Sequence, residues 1–209
     1  MVGEGVMHQC LQSEHVASVL LINRKPYGLQ HPKLKEIIHQ NFYDLSAIES
    51  ELMGYNACYF CLGISSVGIS KEEYFKITHT LTLHVGETLS RLNPDMVFTY
   101  VSGIGTDSKE KGNGWASVKG KTENDLMKLP FKKVYAYRPG FIKPIPGLKN
   151  AKSLYKYFNW MFPIGKSLTP NAFNSLEELG DSMIYVSLNN YEPFILHGKE
   201  ISETAKFLT

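Results

Sequence analysis

Near-continuous apolar runs, each within a stretch of seven to nine residues, constrain this chain more than any other feature. They are "ASVLLINR", "ACYFCLG", "MVFTYVSG" and "KKVYAYRPG". A strand wetted on one face alternates polar with apolar residues; runs without alternation are buried on both faces. Between them lie helical stretches: the opening "MVGEGVMHQCLQ", the short "DLSAIESELMG", the long amphipathic "KEEYFKITHTLTLHVGETLSRL", and "WASVKGKTENDLMKL". "LKEIIHQNF" is a shorter strand candidate. Strand and helix in alternation predict an α/β fold, a Rossmann-like doubly wound parallel sheet with right-handed crossovers.

From "IKPIPGLKN" onward, prolines and glycines interrupt the pattern before a helix in "SLEELGDSMIYVSLNN" and a short strand and terminal helix in "FILHGKEISETAKFL". The expected organisation is a single domain over 1–209. Residues 1–142 and 181–209 form its dinucleotide-binding core, and 143–180 form a small substrate lobe. The aromatic stretch "LYKYFNWMF" in that lobe suits core packing, a lid, a homodimer surface or a membrane-surface helix; core packing is the commoner use of such a stretch.

The 209 residues are 43% hydrophobic with a net charge of +2, enough for one well-cored domain. No Lys/Arg run suggests a nucleic-acid partner, and no stretch approaches the ~20 apolar residues of a membrane span. Three cysteines make a poor disulfide framework and point to a reducing, cytoplasmic setting. Cys58 and Cys61 sit in an apolar strand, where positions three apart face opposite ways, so they read as core thiols. His79 and His84 lack metal-site spacing, and no metal is expected.

In an open α/β sheet, ligands bind beyond the carboxyl ends of the strands. Gly3 stands at a helix N-terminus suited to phosphate. Asn23-Arg24 ends one strand, Asp44-Leu45 the next, Cys61-Leu62-Gly63 another, and "VSG" and "RPG" two more. An arginine rather than an acidic residue after the adenosine-side strand suits a 2′-phosphate; the alternative for Arg24 is a solvated loop charge. NADP(H) is therefore expected in preference to NAD(H). Asp44 either caps the following helix or, as a family resemblance carried by the motifs implies, accepts from adenine.

Taken in order, "MVGEG", "NR", "DL", "CLG", "YVSG", "VKGKTE" and "YRPGF" resemble the atypical, or extended-like, short-chain dehydrogenase/reductase superfamily, in its NAD-dependent epimerase/dehydratase-like branch. The resemblance covers essentially the whole chain. It implies cofactor contacts from Gly3, Asn23, Arg24, Asp44, Leu45, Cys61, Leu62, Gly63, Lys119, Pro139, Gly140 and Ile142. It implies a substrate-orienting serine at Ser102. The superfamily's Y-x-x-x-K motif is matched by "WASVK", with Trp115 in the tyrosine position and Lys119 intact. Indole cannot release a proton in the useful range, and a missing general acid costs ~10²–10⁴ in rate. Tyr100 faces the same way as Ser102 but lies deeper.

The superfamily's fingerprint is G-x-x-G-x-x-G, of which "MVGEG" matches only the tail. The resemblance implies a first strand, central in the sheet, ahead of Met1. A central strand of about 5 residues contributes roughly 10 ladder hydrogen bonds at ~1 kcal/mol net each, comparable with a whole domain's ~5–15 kcal/mol. The native product is thus expected to be longer at its N-terminus.

Two functions follow, apart from the bland third of a defective copy that binds nothing. One is an NADP(H)-binding oxidoreductase or epimerase-like enzyme acting on an unidentified small molecule. The other is a catalytically silent NADP(H)-binding regulatory module.

Overall fold

A computed structural model describes residues 1–112, 114–143, 145, 147–148 and 172–208. The chain divides into two compact units.

The first unit comprises Met1–Asn41, Pro139–Tyr191 and His197–Thr209. It opens with helix α1 (Val2–Gln12), followed by strands β1 (Val19–Asn23) and β2 (Leu34–Ile38). The two strands pair in parallel, Val19 opposite Leu34 through Asn23 opposite Ile38. Strand β2 ends at Ile38, six residues before Asp44, so Asp44-Leu45 does not end a strand as the sequence suggested. The polar "HQN" after Ile38 offers the ladder nothing to bury.

Later in the chain this unit gains β6 (Phe141–Lys143), β7 (Phe173–Ser175), α6 (Leu176–Leu188) and α7 (Gly198–Lys206). Ser175 opens α6 with a capping box: its Oγ accepts from Glu178 N at 3.1 Å, and Glu178 Oε2 accepts from Ser175 N at 2.8 Å. Glycines bring α1 hard against α6. A Cβ on Gly5 would stand 2.7 Å from Leu176 Cδ1, and one on Gly180 2.6 Å from Gln9 Cβ. Of the expected lobe over 143–180, residues 149–171 lie outside the described residues, and so does the aromatic stretch.

The second unit, Phe42–Arg138 with Glu192–Leu196, carries a four-stranded ladder in the order β3 (Ala57–Phe60), β4 (Val97–Val101), β5 (Lys133–Arg138), β8 (Ile195–His197). The pairs β3–β4 and β4–β5 are parallel. The inner strands have the sequences without alternation: Val97 to Tyr100 and Val134 to Arg138 are all buried. Phe98 anchors the layer, its ring 5.8 Å from Phe60 and 5.0 Å from Phe131. Strand β3 stops at Phe60, so Cys61 leaves the strand instead of facing across it from Cys58; neither is in a disulfide.

A 3-10 turn (Ser46–Ile48) and α2 (Glu49–Leu52) precede β3. The long helix expected after it is present but interrupted: α3 (Lys71–Phe75) passes through a π-helical turn (Lys76–Thr80) into α4 (Leu81–Leu92). Helix α5 (Trp115–Leu126) lies against α4 at Gly86, where a Cβ would come within 3.0 Å of Leu126 Cδ2. No helix among the described residues is long and apolar enough to cross a membrane.

Candidate functional site

In the first unit, the N-terminus of α1 and the turn after β1 are tied together by side chains. The hydroxyl of Tyr27 donates to Glu4 Oε1 at 2.9 Å and lies 3.0 Å from His8 Nε2. Glu36 Oε1 accepts from Asn23 Nδ2 at 3.0 Å and from Tyr27 N at 2.9 Å. The turn Asn23–Tyr27 is thereby fixed, and Asn23 spends its amide on Glu36. Burial, reinforced by the hydrogen bond to Glu4, pushes the Tyr27 phenol up to about 12.

Arg24 stands exposed on this turn, and Gln40 Nε2 donates to its carbonyl at 2.6 Å. Gly3 lies half-buried in the first turn of α1, whose N-cap, Met1, makes no side-chain capping bond. The first-turn N–H groups and the helix dipole suit a phosphate. Gly3, Asn23 and Arg24 thus belong to one braced structure, whose struts Glu4, Tyr27 and Glu36 went unnoticed in the sequence.

Further along this unit, Pro139 is buried, and Gly140 has a packing reason of its own: a Cβ there would meet Ala172 O at 2.4 Å. Ile142 is half-buried and pairs with Asn174 in the β6–β7 ladder. Asn174 is fully buried and donates to Gly198 O at 2.8 Å.

In the second unit, Asp44 Oδ1 accepts from Ser46 N at 3.0 Å and Ser46 Oγ at 2.6 Å, closing the turn that leads into the 3-10 segment. Leu45 is buried. Cys61 and Leu62 are half-buried, and Gly63 follows β3 with nothing within 4 Å of where its Cβ would be. Gly103, after β4, has the same open space. Neither glycine has a positive φ, so neither backbone strain nor internal packing requires them. Such turns leave room within this unit for a flat ligand.

At the end of β4, Ser102 N donates to Tyr137 O at 2.7 Å, and Ser102 Oγ lies 2.9 Å from Thr106 Oγ1. Lys119 reaches the same strand end from α5, its Nζ donating to Val101 O at 3.2 Å. That Nζ lies 5.2 Å from the centroid of the Tyr100 ring. Burial draws the Lys119 ammonium down to about 8, against a smaller opposing pull from Glu123. Tyr100 is 1% exposed, and burial holds its phenol far above the ordinary range. The Trp115 indole stands against Gly105: a Cβ there would lie 3.5 Å from its Cη2. Structure therefore brings Ser102 and Lys119 to one strand end and Trp115 to the loop just beyond it.

The loop after β4 is locked to α5. Asp107 N donates to Ala116 O at 3.1 Å, Asn124 Nδ2 donates to Ser108 O at 3.0 Å, and a Cβ on Gly120 would sit 1.9 Å from Asp107 O. Arg138 closes the assembly. Its Nε donates to Glu123 Oε1 at 3.0 Å, and its Nη2 donates to Glu123 Oε2 and to Ser108 Oγ. Both residues lie inside quoted motifs, "VKGKTE" and "YRPGF". Only their matching buried charges could have flagged them, and a single sequence does not display burial. A separate shallow groove of about 460 Å³ between α3 and α5 includes Phe75, Ser117 and Lys121 but none of the predicted site residues.

No protein-family model and no curated protein sequence matches the chain. Solved structures do. ADP-L-glycero-D-manno-heptose-6-epimerase from Helicobacter pylori is similar with a TM-score of 0.64 at 12% identity, over 100% of this chain and 79% of that one. A short-chain dehydrogenase from Burkholderia cenocepacia, in complex with NADP, gives 0.61 at 11% identity over 97% and 86%. The enzyme WbmG from Bordetella bronchiseptica, in complex with NAD, gives 0.65 at 11% identity over 100% and 74%. The chain shares the Rossmann-like α/β fold of these structures.

Proposed function

We propose that this chain, carrying the fold of dinucleotide-dependent dehydrogenases and epimerases, is an NADP(H)-binding oxidoreductase or epimerase-like enzyme acting on a small molecule. The observation that carries the reading is Lys119 Nζ held at the carboxyl end of β4, 3.2 Å from the carbonyl beside Ser102. Lysine and serine at that strand end are the groups such chemistry uses to orient a ribose and a substrate oxygen. The open turns at Gly63 and Gly103 support room for the dinucleotide. The exposed Arg24 supports a 2′-phosphate over a bare ribose.

When bound, the dinucleotide supplies or accepts the hydride. The chain's own residues do the rest. The α1 N-terminus binds phosphate, Arg24 binds the 2′-phosphate, Ser102 orients a substrate oxygen, and Lys119 holds the ribose. Residues 143–180 are assigned as the substrate lobe and the setting as cytoplasmic. Titrating the protein with NADPH and NADH by calorimetry tests the reading. Saturable NADPH binding at least tenfold tighter than NADH is expected; no binding of either overturns it.

Trp115 favours a second reading, a cofactor-binding module without catalysis, because its indole occupies the tyrosine's place and cannot transfer a proton. NADPH binding without turnover of any carbonyl compound is what that reading expects.

A further inference from the structure

Among the described residues near the end of β4, the tryptophan, tyrosine and serine that might deliver a proton are unsuited to the task. Trp115 offers an indole N–H that does not ionise usefully. The phenol of Tyr100 is sealed in the core, and Lys119 meets the face of its ring rather than its oxygen. Ser102 Oγ is engaged with Thr106 Oγ1, and serine is too weak an acid near neutral pH. Among the described residues, the Lys119 ammonium remains at this strand end.

We infer that Lys119 Nζ is itself the proton donor to the substrate oxygen, in place of the tyrosine that position 115 lacks. The inference rests on the oxidoreductase reading above and deepens it. Its geometric ground is the place of the ammonium at the end of β4, where among the described residues it donates to Val101 O and makes no ion pair. Glu123, one turn further along α5, is the nearest candidate partner by spacing. Arg138 engages both of its oxygens from β5. From β4, Lys119 faces the Tyr100 ring and the Val101 carbonyl. From α3, Tyr74 acts on Tyr100 but carries no charge near neutrality. The ammonium thus touches one neutral acceptor and a π face, and burial, which outweighs the pull of Glu123, makes its proton easier to lose. An acid poised near the working pH is what general acid catalysis favours.

The step balances simply. Hydride arriving at a carbonyl carbon moves the C=O π pair onto oxygen. The Nζ–H bond breaks with its electrons left on nitrogen, and the proton goes to that oxygen. The neutral amine then regains a proton from water.

The test uses the intact chain with Lys Cε labelled by ¹³C, and two variants, Lys119→Arg and Lys119→Met. Without cofactor, one lysine signal, absent in K119M, is expected to titrate near pH 8 rather than about 10.4. NADPH consumption is then followed with 4-nitrobenzaldehyde and 9,10-phenanthrenequinone as probes. K119R, which keeps the charge but holds its proton, is expected to bind NADPH within about tenfold of wild type while kcat falls about 100-fold or more. Wild-type kcat for reduction should fall above pH 8.

A Lys119 signal titrating above pH 10 overturns the inference, and so does K119R with wild-type kcat. NADPH binding with no wild-type turnover of either probe also overturns it, in favour of the silent module. Absence of NADPH binding overturns the oxidoreductase reading and this assignment with it.

Discussion

Arg138, the last residue of β5, grips both carboxylate oxygens of Glu123 on α5, and the two are 7% and 1% exposed. An ion pair so buried gains little over a well-packed apolar pair, but removing one partner strands a charge. Arg138→Met is therefore expected to lose about 3–5 kcal/mol of stability. The double variant Glu123→Leu/Arg138→Met should recover most of that loss. Urea denaturation midpoints of the three proteins check it; equal losses in the single and double variants would refute the pairing.

Two glycines should behave oppositely. Gly120→Ala places a Cβ 1.9 Å from Asp107 O, a clash with backbone that costs about 1–3 kcal/mol. Gly63→Ala meets nothing and should change stability by less than about 0.5 kcal/mol. If the turn receives the dinucleotide, the same alanine weakens NADPH binding. Thermal unfolding and NADPH titration of both variants separate the two roles.

Replacing the exposed Arg24 by alanine should leave stability unchanged. It should weaken NADPH binding by roughly tenfold or more, the loss of a charged phosphate contact worth ~1.5–3 kcal/mol. NADH binding should barely move. Equal losses for both cofactors would mean that Arg24 supports the fold instead.

Asp125 carries a pH dependence of determinable sign. Burial opposes its ionisation, yet hydrogen bonds from Lys121, Lys128 and His79 hold its carboxyl well below the ordinary 3.8. A depressed folded-state value stabilises the fold above the unfolded value, about 3.9, and that contribution is lost as pH falls below it. Asp125→Asn should unfold at lower temperature than wild type at pH 7. The gap should narrow steadily from about pH 5 to pH 2; a constant gap would contradict the assignment.

Strands β4 and β5 were legible because burial on both faces leaves no room for polar alternation, and "VFTYV" and "VYAY" show none. The end of β2 was not, since in "LKEIIHQNF" Phe42 resumes apolar character beyond the polar "HQN" without extending the strand. The π-helical turn at Lys76–Thr80 left no trace because one wider turn alters hydrogen bonding, not composition. At the candidate site, the motif order located Ser102, Lys119 and Trp115 near one another along β4 and α5. The engagement of Asn23 with Glu36 escaped notice and the local role of Asp44 stayed one of two readings, because a polar residue that serves a ligand and one that serves its own chain look alike in sequence. Gly140 illustrates the same ambiguity: its packing against Ala172 supplies an internal reason for glycine.

The contact of Gly120 with the Asp107 carbonyl has a mechanical consequence. With no Cβ spacer and with Asp107 N bonded to Ala116 O, the segment after Ser102 and the helix bearing Lys119 form one lever. A substrate that displaced the segment would drag the helix, and the lysine head would shift against Val101. Occupancy on the serine side would thus be registered at the amine.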